Sequence, residues 1–452
     1  MINSYYENEN GKLYHENCLD IMKEMEENSI DMVCIDPPYG YNFMGKDWDK
    51  SLPDKKVFVE LLRILKPGSF ACIMSAPRTD VYWRMCQMIE EAGFKVDFTP
   101  IVWAYSSGFP KALNVGKMVD KKNGIEREIL GVSPAQRLNK PENDIYEAGI
   151  RGKECFITKG ISPLEGSYAG FQPKPACEFI IVTMKPLNEN GYTEQALKNQ
   201  KGISWMDDCR IPYINGENIR EGNNEESKPA QIPAGCAGGT IKSGAGNING
   251  RFPANLLVSD DSLNDGNIYK GQSGATTGEE PSTQIKGKIY GDYTNSKHPS
   301  HEPRNDIGSF SRYFDLDKWF DTQFCISSKA SKSERNKGCE KLKEKNIAYS
   351  EYRDNFDITK SSVSKYPDGT DRPMNKTKNN HPCVKPIKLM SYLITMFSRE
   401  NDVILDCFAG SGSTLLASQM INRKFIGIEL NEEYCEISKC RLIDYDRQLK
   451  MF

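Results

Sequence analysis

The 452-residue sequence predicts an α/β fold: a doubly wound, mostly parallel sheet with helices on both faces, carrying a large inserted region. Three observations lead there. Apolar runs of strand length alternate with helically spaced stretches at both ends of the chain. The alternation lapses after about Ser107 and returns at His381. Two of the buried strands end in an acid and an unusual turn, and ligands of open α/β sheets bind at that end.

Taken in order, residues 11–20 read as a short strand ending near Asn17 and Asp20, with a helix from Ile21 to about Asn28. Asp20 has two readings: an acid that holds a ligand's ring nitrogen or ribose, or a helix N-cap. Met32-Val33-Cys34-Ile35 is continuously apolar, as a strand covered on both faces should be. It runs into Asp36-Pro37-Pro38-Tyr39. Gly40 to Asp49 is glycine-punctuated and aromatic, a loop over a site. A helix over 54–65 places Val57, Leu61, Leu62 and Leu65 at near-helical spacing, and Lys66-Pro67-Gly68 ends it. Ser69 to Met74 is another buried strand. A helix over 79–92 is closed by Gly93, and Phe94 to Ala104 is a strand pair or one long strand.

Residues 108–380 are rich in Gly, Asn, Ser, Pro and Lys, and Asn215–Asn218 and Gly235–Gly239 read as loops. Phe179–Met184 and Asn255–Val258 read as strands within it, and Leu316–Ile326 is apolar and aromatic. Lys329, Lys332, Arg335, Lys337, Lys341, Lys343 and Lys345 form a basic tract, either a solvated face or a binding surface. Order resumes with a helix over 387–398, a strand ending at Asp406, a helix over 414–421, a strand Lys424–Ile428 ending in Glu429, and a helix over 431–445. No internal repeat is evident.

Hydrophobic residues at 38% allow a sizeable core, and a formal charge of −3 excludes a histone-like protein without excluding a local basic groove. No apolar run reaches the length of a membrane span, and the N-terminus lacks a basic-then-apolar leader. A soluble, cytoplasmic protein without a membrane partner is expected. The fourteen cysteines are scattered with no Cys-x-x-Cys pair, and histidines number four. Reduced thiols and no metal site are expected.

Asp36-Pro37-Pro38-Tyr39 is stiff, because proline fixes φ and pushes its predecessor towards extended geometry. It presents a carboxylate, carbonyls without competing donors, and an aromatic face. That array suits a planar group with an exocyclic NH2, such as an amino-bearing DNA base; a proline-rich turn with a solvated acid is the plainer reading. Further on, strand–Asp406-Cys407-Phe408-Ala409-Gly410-Ser411-Gly412-Ser413–helix places a nucleoside against a helix start, where glycines let the backbone come close. Glu429, ending the next strand, can bind two ribose hydroxyls. The missing third glycine disfavours a dinucleotide, and no phosphate loop is present. A nucleoside without phosphates fits, and S-adenosylmethionine is one.

With Asp36-Pro37-Pro38-Tyr39 first, His381-Pro382-x-x-Lys385-Pro386 between, and Asp406-x-Phe408-x-Gly410-x-Gly412 last, the chain resembles the permuted β class of amino-DNA methyltransferases. Restriction-modification systems, prophages and orphan bacterial methylases carry such enzymes. The resemblance covers roughly 1–110 and 380–452, with Trp103 and Gly108-Phe109-Pro110-Lys111 also similar. It implies a circularly permuted, seven-stranded-type, Rossmann-like sheet. Residues 1–110 would form the catalytic half, 111–378 a target-recognition, DNA-binding insertion, and 379–452 the half that binds S-adenosylmethionine. Asp20, His381, Lys385, Asp406, the Phe408–Ser413 turn and Glu429 would hold the cofactor, with Phe408 against it and Lys385 shaping its pocket. Cys383 stands where the family often has Thr.

The same resemblance implies methyl transfer to adenine N6 of double-stranded DNA, after the base is flipped out of the duplex. Asp36 and the Pro37 carbonyl would each accept an N–H of the target, and Tyr39 would stack on it. Neither a metal nor a covalent enzyme intermediate is needed. A Pro-Cys nucleophile at Cys383 is rejected, because it follows a different strand. Cytosine-N4 methylation, where Ser-Pro-Pro-Tyr is the commoner signature, is one alternative. A silent DNA- or nucleotide-binding module and methylation of a protein amide are two more. The family leaves room for a homodimer and for a cognate restriction endonuclease.

Overall fold

The computed structural model describes residues 2–41, 47–105, 113–132, 156–171, 173, 176–212, 250–259, 262–264, 269–270, 307–324, 335–343, 345–346 and 376–449. Residues 42–46 of the aromatic loop, Gly108–Lys111, the loops at 215–218 and 235–239, Lys329 and Lys332 lie outside them. The chain divides into two compact units, Met1–Ile203 with Ser328–Phe452, and Ser204–Ser327.

Eight strands of the larger unit share one sheet: β1 (Tyr6–Asn8), β2 (Gly11–His15), β3 (Met32–Ile35), β4 (Phe70–Ser75), β5 (Ile101–Ala104), β6 (Cys177–Met184), β7 (Val403–Asp406) and β8 (Lys424–Glu429). Their order is β1-β2-β8-β7-β3-β4-β6-β5. From β2 to β4 every pairing is parallel, while β1 and β6 run antiparallel to their neighbours. The two ends of the chain meet where β7 pairs with β3, Ile404 opposite Met32 and Leu405 opposite Val33. The sheet is therefore doubly wound and permuted, as expected.

Burial explains the apolar runs. Every residue of β3 and β4 is buried. On one face Val33, Ile35, Ala71, Ile73 and Leu405 pack against the helices Cys18–Glu24, Lys55–Ile64 and Thr79–Glu91. On the other, Leu13 and Phe425 pack against Ser413–Met420 and Glu432–Leu449. Burying each large side chain contributes about 1.5–3 kcal/mol. The helix Ile387–Phe397, buried along most of its length, completes this region.

Two elements depart from expectation. The first helix begins at Cys18, not Ile21, because the Asn17 side chain accepts the Leu19 N–H (2.9 Å) and caps it three residues earlier. The strand pair or long strand expected over 94–104 is reduced to one strand, Ile101–Ala104, with Lys95 making a single bridge to Met184. Pro100 has no N–H to continue the ladder. The insertion also supplies part of the sheet: β6 comes from the 111–378 stretch, and the compact units divide at 203 and 327.

Within Ser204–Ser327, Ile211 and Arg251 exchange backbone hydrogen bonds (3.0 and 2.8 Å). The Trp319 indole, on the helix Leu316–Phe324, donates to the Asp208 carbonyl (2.9 Å).

Candidate active site

The carboxyl edge of the sheet gathers the acids that end its strands. Asp36 follows β3 directly. Its Oδ1 accepts the Tyr39 hydroxyl (2.6 Å), and its Oδ2 accepts the Lys385 ammonium. Glu178 joins them, with Oε2 at 3.4 Å from both the Tyr39 hydroxyl and Lys385 Nζ. It arrives because β6 is antiparallel: with Ser75 opposite Phe179, the start of β6 meets the end of β4. Glu178 also lies opposite Trp103 of β5.

Burial would push Lys385 down, but Asp36 and Glu178 outweigh it and raise it, so the ammonium persists. Burial, then Lys385 against it and Asp36 with it, leaves Glu178 above the usual carboxylate range. Burial first and these two acids next hold the Tyr39 phenol well above its ordinary value. Tyr39 is thus a hydrogen-bond donor, not a base.

The stiffness of the proline turn has a further source. Asp49 is almost wholly buried, and its carboxylate accepts the backbone N–H groups of Tyr39 (2.7 Å), Gly40 (2.9 Å) and Tyr41 (3.2 Å). Three successive donors on one carboxylate fix the backbone direction after the prolines.

The second constellation follows β7. Asp406 Oδ1 accepts the Phe408 N–H (3.0 Å), and burial pushes its carboxyl up to about 7, against the Thr414 hydroxyl and the Phe408 N–H. Gly410 and Gly412 take positive φ, 51° and 74°. A Cβ on Gly410 would meet the His381 ring at 2.7 Å, so glycine is required there for space as well as conformation. Gly410 donates its N–H to Glu429 Oε2 (2.8 Å), and Asn431 donates to Oε1 (2.8 Å). From the last helix, Arg441 donates to the Ser411 carbonyl (2.6 Å) and reaches the Ser411 and Ser413 hydroxyls, while Ser438 donates to the Gly410 carbonyl (2.8 Å).

The sequence-derived residues fall into three groups. Asp36, Pro37, Pro38 and Tyr39 form one constellation. Asp406, Phe408, Ala409, Gly410, Ser411, Gly412, Ser413, Glu429 and His381 form the other. His381 packs edge-on against Tyr434 (4.5 Å), and burial lowers its imidazole to about 3, so it is neutral. Lys385, expected beside the cofactor, sits on Asp36. Asp20 stands apart: it lies in the first turn of its helix, 57% exposed, with its carboxylate towards Lys23 (3.4 Å). Burial raises the Cys383 thiol to about 12, so it is no thiolate nucleophile, and its N–H donates to His381 Nδ1 (3.3 Å).

Sequence reading missed Glu178, Asp49 and Arg441. For Glu178 the signal was an acid opening an apolar strand, but only the reversed direction of β6 brings it to the site. Of the basic tract, Lys337, Lys341 and Lys343 are exposed, whereas Arg335 donates to the His381 carbonyl (2.6 Å).

A family model described as DNA methylase, covering N6- and N4-methyltransferases, matches residues 30–440. The chain belongs to this DNA methylase family. It is 41% identical over 75 residues to the Type II methyltransferase M2.MboI of Moraxella bovis, covering 17% of this chain and 28% of that protein. It is 44% identical over 71 residues to the Type II methyltransferase M.HindIII of Haemophilus influenzae, covering 16% and 23%. These matches thus span about a quarter of the relatives' length. A solved PvuII cytosine-N4-specific DNA methyltransferase aligns over 99% of this chain and 96% of its own, with 14% identity and a TM-score of 0.41. Among the described residues, no helix of this chain is long and apolar enough to cross a membrane.

Proposed function

We propose that this methylase transfers a methyl group from S-adenosylmethionine to adenine N6 in duplex DNA. The observation that carries the reading is the pairing of β3 with β7, which sets the Asp36 turn beside the Asp406–Ser413 turn. The residues fit the methyl donor. Each Glu429 oxygen accepts one backbone N–H and keeps a lone pair for a ribose hydroxyl. The positive φ of Gly410 and Gly412 shapes the turn, and their missing Cβ atoms make room for His381 and Ser438. His381, neutral and half-buried against Gly410, adds no charge to repel a cationic ligand. When bound, the donor supplies an electrophilic methyl group on a sulfonium sulfur.

The chain's own residues prepare the amine. Its lone pair is delocalised into the adenine ring, so it is a poor nucleophile. Asp36 and the Pro37 carbonyl accept its two N–H bonds, draw the nitrogen towards sp3 character and orient its lone pair. Asp49 holds the turn that carries both acceptors. Positioning and preorganised charge supply the rate. The base must leave the duplex to reach this edge, and Tyr39 offers it a ring to stack on. Asp rather than Ser before Pro-Pro-Tyr supports adenine over cytosine. Target reading is assigned to the insertion, with Ser204–Ser327 as its compact part.

The test is transfer of a labelled methyl group to varied duplex DNA, with the product nucleoside identified by mass spectrometry. N6-methyladenine is expected. N4-methylcytosine would sink the base assignment alone, and no labelled nucleoside would sink the whole reading.

A further inference from the structure

Each Asp36 oxygen already accepts one donor before any base arrives and keeps one lone pair. Tyr39 donates to one oxygen and Lys385 to the other. A target amine that docks on Asp36 shares its charge with both donors. A second acceptor already waits for them, since Glu178 Oε2 lies at 3.4 Å from each. We propose that Glu178 is a positioning residue which takes over the Tyr39 hydroxyl and the Lys385 ammonium as the target amine engages Asp36.

Charge supports the exchange. Lys385 on Asp36 is a neutral pair, which offers little to an amine that becomes cationic during transfer. Glu178 makes the cluster net negative, and drawing Lys385 towards Glu178 uncovers the Asp36 charge at the amine. Half-buried ions still interact strongly at this separation, so the partner of Lys385 decides the field there. Glu178 is costly to keep ionised, and burial raises its carboxyl. The groups facing it are Asp36, Tyr39 and Tyr41 beyond β3, Lys385 and Cys383 before the helix Ile387–Phe397, Tyr105 beyond β5, and its neighbour Cys177. The inference rests on the proposed role of Asp36, and the test keeps the two apart.

The experiment compares the full chain with Glu178→Gln, Glu178→Asp and Asp36→Ala in single-turnover methyl transfer across pH, with calorimetry for S-adenosylmethionine. Thermal unfolding of the cofactor-free proteins adds a readout that needs no turnover. Glu178→Gln should lower the single-turnover rate by about 10²-fold, as loss of one preorganised electrostatic group does, with cofactor affinity unchanged. The native rate should fall on the acid side as Glu178 takes up a proton; this limb should vanish in Glu178→Gln, and Glu178→Asp should restore part of the rate and the limb. The raised carboxyl favours the folded state at low pH, and that contribution is lost as pH rises from the ordinary glutamate range through the raised value. Glu178→Gln should therefore melt higher than the native chain at neutral pH. A native rate and acid limb in Glu178→Gln, with Asp36→Ala inactive, would overturn the inference and leave the function standing. Native activity in Asp36→Ala would overturn both. A Glu178→Gln chain that melts lower, with no rescue by Asp, would make Glu178 a structural residue only.

Discussion

The ends of β3 and β7 are neighbours in one parallel pair, yet they are built in opposite ways. The β3 end is an assembly of charged and phenolic side chains from distant segments: Asp36, Tyr39, Glu178 and Lys385. The β7 end is mostly backbone, a turn of small residues clamped by Glu429 below and by Ser438 and Arg441 of one helix. On the proposed function, the difference follows the work each does. A group that changes charge during reaction needs mobile partners whose fields can be redistributed. A ligand that must only be seated needs a close, rigid backbone.

The contrast breaks most sharply by mutation. Asp36→Ala should lose about 10²–10³ in turnover while keeping its affinity for S-adenosylmethionine. Glu429→Ala should do the reverse, raising the cofactor Kd in calorimetry before it slows saturated turnover. If both variants lose the same property, the two strand ends do not divide the work.

Asp49→Ala comes next. It strips one carboxylate from three backbone donors around Tyr39 without touching either ligand. Leaving buried donors unsatisfied costs about 1–3 kcal/mol each, so a lowered melting temperature is expected, with slower transfer and intact cofactor binding.

The β7 end has its own pH signature. Asp406 keeps its proton to about 7 in the folded chain against an ordinary 3.8, because burial disfavours the charge. That contribution to stability is present below 3.8 and is lost as pH rises through about 7. Asp406→Asn should flatten the fall in melting temperature across this window. A slope equal to the native one would place the titration elsewhere.

The smallest effect expected is at the basic tract. Replacing Lys337, Lys341 and Lys343 with alanine should reduce the salt slope of DNA binding by about one unit for each phosphate that these lysines neutralise. An unchanged slope would leave them a solvated face.

How far the sequence could be read follows the same division. The β7 end was legible because its parts are local: strand, turn, helix and the acid after the next strand lie within 403–429. Pairing of the two chain ends could be expected, since each supplied strands that needed neighbours. The β3 end was legible only in its own four residues. Glu178 is 139 residues from Tyr39 and Lys385 is 349 from Asp36, and only the strand order and the reversed β6 unite them. Asp49 was hidden because a carboxylate that cages backbone N–H groups looks, in sequence, like any acid in a loop. Asp20 is not the N-cap that the sequence allowed, because the Asn17 side chain caps the helix three residues earlier.

We propose that the Asp36 edge methylates adenine N6 at a fixed DNA sequence. Long-read modification sequencing of DNA from a methylation-free host, expressing either the native chain or Asp36→Ala, tests it directly. The native chain should leave N6-methyladenine at one recurrent sequence, and Asp36→Ala should leave none. Unmodified DNA from the native chain, or equal modification by both chains, would contradict the account.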